Sequence, residues 1–327
     1  MSLTDEDELL HGESDEEGQK EEEAQEEEAT ERDQIESCPL TQDMMAQSLS
    51  LLCRTGNGLA HAFVKADLKE RSLTDIALLS SFVHLRFLDI SSNFLTDFSP
   101  LAALTQLLWL KADGNQLPGF RDQPLGQLAY LQWLSLAANR LGDTEGLGGP
   151  ALESLNLTGN GIQRVSGLEY HRLTNLVTLE LRGNSLETTD GIYLPNLRNL
   201  YLAQNKIKQL EGLEKLERLT TLHLRGNQLE TLDGLSPSMK SLQYLNIRDN
   251  LIASRKALQS LLGVAQTLQA IVLTGNPFSD MEDYRLLVLT YLPLLERLDK
   301  EHFSSEERME AQERIREFEE STEQEDQ

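Results

Sequence analysis

Cysteine, tryptophan and positive charge are all scarce in this 327-residue chain. There are two cysteines, two tryptophans, and 29 Lys and Arg against 54 Asp and Glu. Two cysteines cannot staple a disulfide scaffold, and Cys38 and Cys53 are not spaced as metal ligands, which favours an intracellular, reducing compartment. No apolar run is long enough to cross a bilayer, and the first residues hold no apolar core of the kind a secretory leader needs. The six histidines form no cluster. Zinc-protease, nucleophile-elbow, phosphate-loop and Cys-His patterns are missing, and Gly56-Asn57-Gly58 lacks the third glycine of a dinucleotide fingerprint. The expectation is therefore no enzyme, no cofactor, no metal and no small-molecule substrate. The triplet Asn156-Leu157-Thr158 matches a glycosylation acceptor but falls in a predicted strand, and it is discounted.

The charge deficit is uneven. Residues 1–40 hold 17 acids against Lys20 and Arg32, and residues 301–327 hold 11 acids against three arginines. Of the net −25, only −2 falls on the 260 residues between. A near-neutral body between acidic ends argues against nucleic acid and anionic membrane as direct partners.

What is abundant is leucine at regular spacing. The nine-residue phrase L-x-x-L-x-L-x-x-N, clear in Leu219 to Asn227, closes on Asn93, Asn115, Asn139, Asn160, Asn184, Asn205, Asn227, Asn250 and Asn276. The intervals are 22, 24, 21, 24, 21, 22, 23 and 26 residues, which is the wording and period of a leucine-rich repeat. Leu222 and Leu224 are two apart, so on a strand both face the core, while Thr221, His223 and Arg225 face solvent. A second apolar beat follows each asparagine, as in Leu229, Leu232 and Leu235. One repeat cannot bury its apolar side alone, so neighbours stack. The fold class predicted is an α/β leucine-rich repeat solenoid of 22-residue-type repeats, with a concave parallel sheet, a helical N-cap and a C-terminal cap. The asparagine is assigned a buried task, bonding loop backbone that no strand can satisfy.

In order along the chain, residues 1–40 read as a disordered acidic tail. Residues 41–80 read as an N-terminal capping helix, over 41–54 with Thr41 as N-cap, and a degenerate first repeat in which Phe63, Ala66 and Leu68 prefigure Leu85, Leu88 and Ile90. Residues 81–276 are the repeats, 277–303 the C-terminal cap, and 304–327 an acidic helical tail opened by a Ser304–Glu307 capping box. Leu117 to Pro124 is expected to bulge as a loop, and Ser254 to Leu262 to form a helix.

Function is sought on the concave face, where register alone places the exposed side chains. Phe87, Trp109 and Trp133 share one position on successive strands, with the tryptophans ~5 Å apart. Farther along, Arg182, Arg225 and Arg248 make a basic strip flanked by Tyr201 and Tyr244. Trp, Tyr and Arg anchor protein interfaces, so these eight residues are the candidate protein-binding site. The acidic N-terminal segment could lie over the arginines and compete with an acidic partner; deleting residues 1–40 should then tighten binding, most at low salt.

Four stretches carry a more specific likeness: SLLCRTGNGLAHA at 50–62, LLWLKADGN at 107–115, NLYLAQN at 199–205 and MKSLQYLN at 239–246. They resemble the axonemal radial-spoke leucine-rich repeat family of motile cilia and sperm flagella, over about residues 40–302. The resemblance implies a non-enzymatic scaffold subunit of the radial spoke, at the head of the third spoke, needed for coordinated beating. It implies radial-spoke head and other axonemal proteins as partners, and a place in the cytoplasm on the cytoskeleton of the cilium. An alternative is a regulatory subunit of a protein phosphatase, whose repeats and cap are similar. An acidic nuclear histone-binding repeat protein would carry its longer acidic run after the repeats rather than before them.

Overall fold

A computed structural model describes residues 35–325 apart from Asn57 and Glu169, with side chains to residue 317. The segment read as a disordered tail over residues 1–40 falls almost wholly outside the described residues. Residues 39–327 form one compact unit.

That unit is a leucine-rich repeat solenoid with thirteen strands in one sheet, ordered as in the chain. Strands β1 (Leu49–Arg54) and β2 (His61–Asp67) form an antiparallel hairpin. From β2 onward pairing is parallel through β3 (Phe87–Asp89), β4 (Trp109–Lys111), β5 (Trp133–Ser135), β6 (Ser154–Asn156) and β7 (Thr178–Glu180). It continues through β8 (Asn199–Tyr201), β9 (Thr221–His223), β10 (Tyr244–Asn246), β11 (Ala270–Val272) and β12 (Arg297–Leu298), and β13 (Glu301–His302) turns back antiparallel. The helices are α1 (Gln42–Ser48), α2 (Lys256–Leu261), α3 (Tyr284–Tyr291) and α4 (Ser305–Glu325).

Strands β3 to β11 are three residues long because each contributes one rung. Leu222 at the centre of β9 and Leu224 just after it are fully buried, as are their counterparts Leu200 and Leu202, while Thr221 and His223 remain half-buried on the sheet face. The returns on the other side are short 3₁₀ turns such as Ser99–Ala103 and Leu213–Lys215. Asparagine joins the layers. Asn205 Oδ1 accepts from the Leu186 N–H of the preceding repeat at 3.1 Å, while its Nδ2 donates to Leu181 O at 2.9 Å and Leu202 O at 3.1 Å. The same three-bond pattern recurs at Asn227, Asn250 and Asn276.

The structure departs from the sequence reading at three places. The helix expected over 41–54 stops at Ser48, and the chain continues as β1. Thr41 does cap it, accepting from the Met44 N–H, and Met45 is fully buried. Pairing with β2 supplies the backbone partners that the first strand of a sheet otherwise lacks, and this outweighs helix propensity over Leu49–Arg54. Phe63 does not take the core place of Leu85. Strand alternation puts Val64 and Ala66 inside and Phe63 on the sheet face, 45% exposed. The Leu117–Pro124 stretch is only partly a bulge, since Leu117, Phe120 and Pro124 are buried and Gln123 Oε1 accepts from the Phe98 N–H at 2.9 Å.

At the far end, Asp299, just past Leu298 and in register with Val272, accepts from Leu273 N at 2.7 Å and Thr274 N at 3.0 Å. Helix α4 opens on a reciprocal Ser304–Glu307 capping box. It is tied to α3 by Arg285–Glu307 at 2.8 Å, and Arg314 reaches Asp283 at 3.2 Å.

Two substitutions separate the contributions of packing and ladder. Leu222→Ala should cost roughly 2–5 kcal/mol by leaving a cavity. Asn205→Ala leaves one N–H and two carbonyls without their side-chain partner, at roughly 1–3 kcal/mol for each group that stays dry. Urea unfolding followed by circular dichroism measures both. A loss below about 1 kcal/mol for Asn205→Ala would mean that water replaces the ladder.

Candidate functional site

The parallel register fixes which side chains share a row of the sheet face. Lys65, Phe87, Trp109 and Trp133 are direct cross-strand partners in turn. The two indoles stack, with ring centroids 4.7 Å apart and planes 7° from parallel. Both are half-buried, as is Phe87. The stack follows from the strand spacing, since in-register residues on parallel strands sit ~4.8 Å apart.

Beside this stack lies apolar surface contributed by the hairpin. Leu51, Leu52 and Phe63 are 53%, 58% and 45% exposed. Leu52 is the cross-strand partner of Phe63, so both share the outer face. Leu51 has φ 61°, a left-handed conformation that costs a non-glycine residue about 1–2 kcal/mol. With Phe87 and Trp109, and the charged Lys65, Asp67 and Asp89, Leu51 lines a depression of about 370 Å³. Sequence reasoning missed Leu51, Leu52 and Phe63 because a helix was expected over 41–54 and Phe63 was aligned to a core position. The signal that could have found the hairpin is Asn57-Gly58, a preferred hairpin-turn pair, between two apolar runs.

A second group of rings lies four strands away. His223 sits between Tyr201 and Tyr244, with centroids at 4.9 and 5.1 Å. Burial pushes the His223 imidazole below its ordinary value of 6.5, and the nearby Arg182 guanidinium adds to the shift in the same direction. Glu180 is the cross-strand partner of Tyr201, so a carboxylate also belongs to this neighbourhood.

The arginines follow in the row just beyond the strand ends. Backbone bonds from Gly183 N to Ala203 O, Gln204 N to Arg225 O and Gly226 N to Arg248 O continue the ladder, placing Arg182, Ala203, Arg225 and Arg248 side by side. Arg225 Nε lies 3.0 Å and Arg248 Nε 3.3 Å from Asp249 Oδ2. Asp249, rather than Glu180 on β7, is the carboxylate bonded to them. It occupies the position before the asparagine, where the backbone is left-handed in every repeat, by glycine in five and by Asp249 at φ 55° here. Gly275 makes the room, because a Cβ there would collide with Asp249 Oδ1.

The eight predicted residues therefore fall into two groups, Phe87, Trp109 and Trp133 on β3–β5, and Arg182, Tyr201, Arg225, Tyr244 and Arg248 on and just after β7–β10. Among the described residues, no group of three or more His, Cys, Asp or Glu could hold a metal, and no helix is long and apolar enough to cross a membrane. The arrangement offers recognition chemistry: flat aromatic surface at one end, guanidinium donors at the other.

A family model described as "Leucine-rich repeat" matches residues 178–325. Leucine-rich repeat-containing protein 23 of Homo sapiens is 53% identical over 273 residues, which is 84% of this chain and 78% of that protein. The protein of the same name from Xenopus tropicalis is 52% identical over 275 residues, 84% of this chain and 78% of its own. Among solved structures, that of a TLR13–ssRNA13 complex aligns with a TM-score of 0.58 at 22% identity, over 72% of this chain and 36% of that one, a likeness of fold alone.

Two expectations test the face itself. The chain holds only Trp109 and Trp133, so its indole fluorescence reports one spot, and a partner seated there should shift it. Trp109→Ala should keep the thermal midpoint within a few degrees and abolish the shift; a collapsed fold would put the indole in the core. For His223, the folded pKa is lowered, so the unfolded state holds more protons just below pH 6.5. Its contribution is complete above that value and is lost as pH falls through the folded pKa. Proton NMR of the ring should show the depressed titration, and Arg182→Ala should move it upward.

Proposed function

The chain belongs to the leucine-rich repeat-containing protein 23 family, and from that premise we propose that it is a non-enzymatic scaffold subunit of the radial spoke in motile cilia and sperm flagella. Its work is binding. It sits at the head of the third spoke, holds radial-spoke head and other axonemal proteins, and serves coordinated beating. The observation that carries the reading is the identity of more than half over 84% of the chain, which includes positions the repeat pattern leaves free.

The physical reading agrees with this role. A leucine-rich repeat sheet fixes side chains on a rigid lattice, so an interface built on it loses little ordering entropy. Its aromatic and arginine anchors are the residue types that dominate binding energy. Most of the acidic charge lies in the two ends, which disfavours direct docking on an anionic polymer surface.

Affinity purification of tagged protein from ciliated cells or testis, read by mass spectrometry, tests the proposal. Radial-spoke proteins are expected in the captured set. Changing Trp109, Arg182, Arg225 and Arg248 together should remove them without loss of the fold. Spoke proteins retained by that variant would keep the assignment and move the contact to the capping ends. A phosphatase catalytic subunit in their place would overturn the reading in favour of a phosphatase regulator.

A further inference from the structure

We propose that Arg182, Arg225 and Arg248, set in place by Asp249, form a clamp for carboxylates, and that the segment docking on β7–β10 is rich in Asp or Glu. The proposal rests on the reading of the sheet face as a binding surface and adds the chemistry of what binds.

Three observations carry it. First, Arg225 and Arg248 both address Asp249 through Nε, which leaves the terminal amino groups of both guanidiniums for an incoming acceptor. A carboxylate that takes two parallel N–H bonds from such an edge makes the strong, directional form of this contact. Second, Arg182 is exposed and has no carboxylate bonded to it among the described residues. Between Arg182 and Arg225 the row holds only Ala203, 7% exposed. The backbones that carry Arg182 and Arg225 thus stand two strand spacings apart, ~10 Å, with only the Ala203 methyl group between the two side chains in that row. Third, the charge of the neighbourhood is unbalanced: three arginines face Glu180 and Asp249, and Asp249 is already divided between two of them.

Asp249 is a positioning residue in this arrangement. Five of the nine repeats have glycine at its place, and a glycine would leave both side chains free to rotate. Asp249 holds both Nε edges on one carboxylate, Arg225 on Oδ2 and Arg248 on Oδ1, and so spends in advance the rotamer entropy that two long side chains would otherwise lose on binding. A pair with this much exposure adds little to stability, which leaves preorganisation as the account of the ionic cluster. Tyr201, His223 and Tyr244 form an aromatic surface beside the clamp, against which the apolar stems of glutamates can pack.

The experiment uses the purified whole chain and a fluorescein-labelled peptide of ten glutamates, read by anisotropy at low and physiological salt. Binding is expected, weaker at higher salt. Loss of any one arginine to alanine should weaken it about tenfold, the equivalent of one charge-assisted hydrogen bond. Arg182→Lys should restore only part of the loss, because an ammonium keeps the charge without the fork. Met309→Ala, an exposed residue of α4 off the sheet face, should bind the peptide unchanged. Equal binding by the triple arginine variant, or no binding by the whole chain, overturns the proposal. An oligothymidylate of ten nucleotides bound as tightly would assign the arginines to phosphate and overturn it too. Self-association of the chain, lost in the same arginine variants, would give the surface to a second copy instead. A chain that captures radial-spoke proteins and ignores the glutamate peptide keeps its role and loses only the clamp.

Discussion

Each asparagine of the repeat settles backbone groups that no strand or helix can reach. A chain that turns after three residues of strand leaves N–H and C=O groups facing inward at every bend, where water has little access. Asn227 takes the Ile207 N–H from the repeat before it and donates to Leu202 O and Leu224 O, so one side chain closes two layers. Because the amide must both accept and donate, neither aspartate nor leucine can replace it in mid-stack. The ladder fixes the rise from one repeat to the next, and that rise sets the cross-strand register. The stacked indoles and the arginine row are consequences of it.

A ladder of this kind must end, and the two ends are solved by different chemistry. At the carboxyl end Asp299, in register with Val272, closes the last layer. It accepts two backbone N–H groups and is met by the Tyr284 hydroxyl. At the amino end Asn93 is the first amide of the ladder, and it accepts from both Arg71 and Leu73 N–H. The sheet there ends in an antiparallel hairpin rather than a helix face, and this brings Leu51 and Leu52 to the surface beside Phe87.

The repeat, its strand phase and the facing of every third, fifth and seventh position were legible because the period is strict and alternation on a strand has only two outcomes. Phe87, Trp109 and Trp133 could be placed side by side from spacing alone, as could Tyr201 next to His223. What was not legible depends on backbone states that residue type does not dictate. Leu51 in a left-handed conformation is invisible to a hydrophobic pattern, and the 41–54 stretch has a helical apolar stripe that the need to pair β2 overrides. Asp249 sits in a place whose rule is conformational rather than chemical. Had the glycines at 114, 159, 183, 226 and 275 been read as a demand for positive φ, the aspartate among them would have marked itself as a residue placed there for its side chain.

The sheet face has two kinds of anchor because its two halves recognise in different ways. Stacked indoles offer broad, flat area with little specificity of direction, and they gain from excluding water. Guanidiniums held by a shared carboxylate offer direction and reject partners of the wrong charge, with less gain from area. Between them, β6 carries Ser154 and Asn156, small polar residues that neither attract strongly nor obstruct. A partner lying across the strands can therefore be gripped at one end and oriented at the other. The solenoid holds these ends apart at a distance set by the number of repeats, so inserting or deleting a whole repeat between β5 and β7 would change the span without disturbing either anchor. That separation of spacing from chemistry suits a part whose task is to hold neighbours at a fixed distance.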